Sequence, residues 1–104
     1  MAFVSVGLFS KLPPGSVTEV LIGDAAYAVC NVDGELHALA GECPHAHGPV
    51  GQGYMNGHYV VCPWHEWGFD CRTGANTFDP RVRLDRFAVK VAGDEILIDP
   101  EEHA

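Results

Sequence analysis

Two short segments, Cys43-Pro44-His45 and Cys62-Pro63-Trp64-His65, each place one thiol and one imidazole within a few residues, and sixteen residues lie between them. Thiolate and imidazole are both good ligands for a transition metal, so the pattern asks for a fold that brings the two loops to one site. Pro44 and Pro63 stiffen the backbone beside each cysteine. Gly48, Gly51 and Gly53 let the first loop turn tightly enough for close approach to a bound group.

Around these loops the chain reads as strands. Short apolar or alternating runs are divided by turn residues, and no stretch holds a 3.6-residue period for three turns, so helix should be scarce and the sheet mostly antiparallel. The pattern predicts strands near 3–9, 17–22, 25–31, 35–40, 58–62, 68–71, 84–91 and 95–99. Pro13-Pro14-Gly15, Asp33-Gly34, Thr73-Gly74 and Gly93-Asp94 supply the turns, and Asp33-Gly34 between AYAVCNV and ELHALA is a strong hairpin signal. The segments 41–53 and 62–70 break the rhythm, and residues 100–104 read as a frayed acidic tail. No repeat, low-complexity tract or linker divides the chain, so residues 1–104 form one all-β domain whose 47% apolar content suffices for one modest core.

The N-terminal segment MAFVSVGLFSKLPPG lacks a basic leader region and is interrupted by Lys11, Pro13 and Pro14, which predicts a cytoplasmic protein with no membrane span. Four cysteines in such a compartment are metal ligands or buried thiols sooner than disulfides. A net charge of -8 excludes nucleic acid and anionic membranes as partners and suits a basic protein surface. Residues 1–71 carry one base, Lys11, against seven acids, and residues 42–71 hold Glu42, Glu66 and Asp70 with no Lys or Arg. These three acids form either a docking rim or a solvated edge.

Two Cys and two His suit either zinc or a [2Fe–2S] centre in which two imidazoles replace two thiolates on one iron. Zinc motifs usually pair Cys with Cys and His with His, whereas each loop here mixes the types. Cys30, inside AYAVCNV, and Cys71 read as buried structural thiols. A four-cysteine cluster from Cys30, Cys43, Cys62 and Cys71 fits neither common ferredoxin spacing. His47 and His58 read as a loop and a strand-end histidine, and His37 and His103 as solvated. Trp64, Trp67 and Phe69 read as shields against water or as a partner contact.

Cys-x-His, sixteen residues, then Cys-x-x-His resembles the Rieske family in order and nearly in spacing. The run CPWHEWGFDCRTG resembles that of Rieske ferredoxins, and FDPRVRLDRFAVKV resembles the strand and proline-containing loop that cover their cluster. The resemblance implies an antiparallel β sandwich or barrel with a cluster-binding subdomain of two loops. It also implies one Rieske [2Fe–2S] cluster, with Cys43 and Cys62 on one iron and His45 and His65 on the other. Where high-potential members carry two further cysteines in a loop disulfide, this chain has Gly48 and Trp64; where they place Ser and Tyr hydroxyls near sulfur, it has Trp67 and Phe69. Fewer hydrogen bonds to sulfur point to the low end of the Rieske range, about −150 mV. Glu66 stands where the family motif usually has Gly.

The resemblance further implies a monomeric one-electron carrier, not itself an enzyme, that passes electrons from a flavoprotein reductase to a terminal oxygenase or another acceptor with a basic docking surface. The chain shows no nucleotide-binding glycine motif. Two alternatives remain open at this point: the small subunit of an NAD(P)H-dependent nitrite reductase, and a zinc-stabilised interaction module.

Overall fold

The run AAYAVCNV has no alternation, and a strand of that kind needs apolar cover on both faces. The computed structural model, which describes residues 3–43, 48–64 and 66–104, provides it. Among the described residues nine strands form, β1 (Val4–Leu8), β2 (Val17–Ile22), β3 (Ala25–Val32), β4 (Glu35–Ala40), β5 (Tyr54–Asn56), β6 (Tyr59–Val61), β7 (Gly68–Asp70), β8 (Arg86–Ala92) and β9 (Glu95–His103), with single 3-10 turns at Phe9–Lys11 and Val50–Gln52. Six strands make one antiparallel sheet in the order β1-β9-β8-β4-β3-β2, and β5-β6-β7 make a second. The large sheet curls so that β1 and β2, its two edges, line one cleft together with Leu12.

Strands β3 and β4 divide two cores. Tyr27, Val29 and Ala38 point into the curl of the large sheet with Leu12, Phe87, Ile96 and Ile98. Ala28, Cys30 and Leu39, one residue out of phase, point the other way and meet Val50, Val60, Phe69 and Leu84 together with Cys43, Cys62 and Cys71. The period of two along a strand thus sends alternate side chains to two different cores. Asp33 (φ 53) and Gly34 (φ 94) close the β3–β4 hairpin in the left-handed pair that such a turn requires. Buried Asn31 ties that hairpin down, donating to Leu12 O at 2.7 Å and accepting from Gly34 N at 2.7 Å.

Most predicted strands form within two residues of their expected ends, and helix is confined to the two 3-10 turns among the described residues. Three readings need correction. Strand β5 lies hidden in GQGYMNG, where three residues between glycines are too few to show alternation. Residues 100–103 are not frayed: β9 bulges between Asp99 and His103, re-pairs His103 with Phe87, and sets the two rings 5.1 Å apart edge to face. The buried Asp99 carboxylate holds the bulge by accepting from Glu101 N at 3.0 Å. His37 is not solvated but 6% exposed, because it sits on β4 beside Arg86 of β8.

Candidate metal centre

Each proposed cysteine starts a loop that its own backbone N–H closes. Cys43 N donates to Gly48 O at 2.9 Å and Cys62 N donates to Trp67 O at 2.8 Å, five residues on in each case. The first loop is fastened to the large sheet by Gly41 N to Ala26 O at 2.9 Å and Val50 N to Gly41 O at 3.0 Å. The second continues β6 and turns back into β7. Because Tyr54 pairs with Val61 and Val61 with Gly68, the first loop enters β5 and the second joins β6 to β7 at the same end of the small sheet. Pro44, His45, Ala46, His47 and His65 lie outside the described residues, so the structure speaks for the two cysteines of the proposed ligand set.

Cys43 and Cys62 are buried, at 1% and 0% exposure, and neither is in a disulfide. Burial pushes the Cys62 thiol up, the backbone N–H of Trp64 draws it down, and the charge and hydrogen bond of neighbouring Cys43 push it up again. Two thiols that face each other in an apolar setting resist becoming two thiolates unless a cation sits between them. An iron centre supplies that charge. A cradle exists for it: a Cβ on Gly48 would stand 2.8 Å from Cys62 Sγ and 3.0 Å from Trp64 Cβ, so only glycine leaves the sulfur free at this point. The other two loop glycines serve elsewhere, since a Cβ on Gly51 would stand 2.7 Å from Glu19 of β2 and one on Gly53 would collide with the Val61 carbonyl. The residues present fit a metal–sulfur group.

Cys30 and Cys71 form a second, separate pair. Its hydrogen bond with Cys71, then burial, push the Cys30 thiol far above the ordinary range, and both residues are 0% exposed. These are inert packing thiols, as expected.

Asp70 departs from the expected acidic rim. Burial alone pushes its carboxyl up, but the Arg72 side chain and backbone N–H, and then His58, outweigh burial and hold it below the usual carboxylate range. Arg72 N donates to Oδ1 at 2.9 Å, Nε to Oδ1 at 3.2 Å, and a terminal amine to Oδ2 at 3.2 Å. The same Asp-x-Arg clasp recurs at Asp79 and Arg81. Asn76, 3% exposed, joins the two clasps by accepting from Phe78 N and Asp79 N and donating to Gly68 O at 3.2 Å. Side chains thus replace strand ladders as the scaffold beneath the loops. The repeated Asp-x-Arg was the available signal, and the charge count hid it.

Phe69 is fully buried, Trp67 is half-buried with its ring 5.4 Å from Phe78, and Trp64 is 50% exposed. The first two shield the loops. Trp64, with Phe78 at 66% and Tyr54 at 52%, leaves aromatic surface in solvent around them. Sequence reading passed over Tyr54 and Phe78. No helix among the described residues is long and apolar enough to cross a membrane.

Residues 2–98 match the model of the Rieske [2Fe-2S] domain family. The chain is 35% identical over 102 residues to the ferredoxin component of biphenyl 2,3-dioxygenase from Rhodococcus jostii (strain RHA1), covering 97% of this chain and 95% of the relative. The ferredoxin of carbazole 1,9a-dioxygenase from Nocardioides aromaticivorans IC177 superposes with a TM-score of 0.87 at 28% identity, over 97% of this chain and 100% of that one. A complex of reduced oxygenase and oxidized ferredoxin in carbazole 1,9a-dioxygenase contains a chain matching at a TM-score of 0.85 and 28% identity, over 96% and 94%. An NADH-dependent nitrite reductase small subunit from Mycobacterium tuberculosis shares the fold at 23% identity and a TM-score of 0.82, over 93% of each chain. The two-layer β fold, the facing buried thiols and the family match lead to one answer on the metal, a cluster and not zinc: the chain belongs to the Rieske [2Fe–2S] domain family and its cofactor is a Rieske-type [2Fe–2S] cluster.

Proposed function

We propose that this chain is a one-electron carrier that passes electrons from a flavoprotein reductase to a terminal oxygenase. Cys43 and Cys62 hold one iron of the cluster, and His45 and His65 hold the other. A bound Rieske cluster supplies reversible one-electron chemistry, made easier than in a four-cysteine cluster because neutral imidazoles replace anionic thiolates. The protein's own contribution is to keep both thiolates from water, to donate the backbone N–H of Trp64 toward Cys62, and to shield the loops with Trp67 and Phe69. Residues 1–104 act as a single domain, monomeric and cytoplasmic, and turn over no substrate themselves.

The observation that carries this reading is the 35% identity over nearly the full length of a stand-alone ferredoxin component. The nitrite reductase small subunit, at 23%, speaks for the fold alone. Anaerobically purified protein should contain two iron and two sulfide per chain and, when reduced, give an EPR signal whose average g lies below that of four-cysteine clusters. It should then accept electrons from an NADH-dependent flavoprotein reductase and return to the oxidised spectrum on mixing with a Rieske oxygenase. A loaded cluster that no such reductase reduces would overturn the proposed direction of transfer.

A further inference from the structure

Among the described residues, two that are not glycine adopt the left-handed backbone, Asp33 (φ 53) and Glu66 (φ 55). Asp33 sits in a hairpin turn that demands it, and aspartate tolerates the conformation. Glu66 has neither excuse. A long side chain is strained there relative to glycine. Its side chain is exposed and makes no hydrogen bond or ion pair with any described residue, so no such bond among them offsets the strain.

The turn places Glu66 on the wall of a surface groove of about 270 Å³ that Tyr54, Asn56, Tyr59 and Thr77 also line. Tyr54 is 52% exposed, so part of its surface stays open to an incoming group. The groove therefore offers a carboxylate, an amide carbonyl and two phenol groups, and among its lining residues no cation competes for the carboxylate. The nearby Arg72 is already clasped by Asp70. A planar cation with several N–H donors fits this set better than a compact ammonium, because it can bridge both carboxylate oxygens while lying against a ring.

We propose that Glu66 and this groove form a docking site for an arginine side chain on a redox partner. The proposal rests on the electron-carrier reading for the nature of the partner, and the strained carboxylate marks a residue kept for contact between proteins.

The test uses the cluster-loaded protein and the peptides acetyl-Gly-Arg-Gly-amide and acetyl-Gly-Lys-Gly-amide, followed by ligand-observed NMR at low salt. The arginine peptide should bind saturably, at least about fivefold tighter than the lysine peptide, and Glu66→Gln should remove that preference. Equal binding of the two peptides, or an arginine preference that survives in Glu66→Gln, would overturn the site. Glu66→Gly should meanwhile raise the melting midpoint by about 4–8 °C, since it releases the backbone strain, while weakening the arginine peptide as Glu66→Gln does. A Glu66→Gly variant less stable than wild type would show that the side chain serves the fold, and would also overturn the proposal. Iron content and the EPR signal are read on the same samples, so failure of the carrier reading shows there and failure of the groove shows in the peptide titration.

Discussion

The two layers of this molecule are held together by different means. The six-stranded sheet folds around Leu12, Tyr27, Val29, Ala38, Phe87, Ile96 and Ile98, with long hairpin ladders and ordinary turns. The small sheet has three strands of three residues each, too short to stand alone. Its interior borrows one face of β3 and β4, and among the described residues four of the ten buried in that core are cysteines. Turns clasped by Asp70, Asn76 and Asp79 supply the rest. A layer that carries chemistry has little apolar material to spare, so it leans on its neighbour, on local side-chain hydrogen bonds and on its cofactor.

The strongest way to break this contrast is to remove one of the proposed cluster ligands. Cys62→Ser should abolish the visible absorption of the cluster and its EPR signal while the far-UV signature of the large sheet persists. If the β signature vanishes with the cluster, the large sheet does not fold independently of its neighbour.

Cavities cut on either side of β3–β4 sharpen it. Leu39→Ala and Ile98→Ala each remove a fully buried side chain and should destabilise by about 2–5 kcal/mol. The two should differ in kind. Leu39 packs beneath Cys43 and Cys62, so its truncation should speed cluster loss below the unfolding midpoint, whereas Ile98→Ala should lower the midpoint with the cluster retained until the chain unfolds. Chemical denaturation followed at once by visible absorption and circular dichroism separates the two.

The clasps come next in size. Asp70→Asn removes the charge that Arg72 grips and weakens its three hydrogen bonds, and should cost about 1–2 kcal/mol. In the folded state the Asp70 carboxyl is held low, so the stabilisation is present above the ordinary carboxylate value of 3.8 and fades as pH falls through the lower folded value. Wild type and Asp70→Asn should therefore converge in stability in strong acid. A constant gap down to pH 2 would assign the effect to packing.

Much of this was legible in the sequence, for reasons that particular residues make plain. The run AYAVC announced a strand, and Asp33-Gly34 announced its hairpin, because each is a local property of the chain. The meeting of Cys43 with Cys62 was legible because two loops that each mix a thiol with an imidazole ask for one common site, and the structure brings those two thiols together. What escaped was long-range. Asp70 looked like a surface acid, since nothing in a charge count reveals a clasp with the residue two positions on. His37 looked solvated, because its burial comes from β8, 49 residues away. Residues 100–103 looked frayed, since only the pairing of His103 with Phe87 keeps them in the sheet.

His37 yields the smallest effect and tests whether the large sheet contains any pH-sensitive part. Arg86 lies 3.0 Å from Nδ1, which must accept because guanidinium only donates, so the neutral ring carries its proton on Nε2. Nε2 stands 2.9 Å from Glu35 Oε1, but without the alignment of a hydrogen bond, and Glu35 is largely exposed. Burial, and then the Arg86 charge, hold the folded imidazole below its ordinary value of 6.5, against the weaker pull of Glu35 and Asp70 in the other direction. The unfolded chain therefore binds more protons than the folded one as pH drops below 6.5. Stability should be flat with respect to this residue above that value and should decline below it until the folded imidazole also protonates. His37→Gln keeps an acceptor for Arg86 and has nothing to titrate, so its melting midpoint should lose less between pH 7 and pH 5 than wild type loses. This window lies above that of Asp70, so the two slopes are separable in one pH series. Parallel curves for wild type and His37→Gln would mean that the imidazole titrates alike in both states, and that this residue adds nothing to the acid sensitivity of the large sheet.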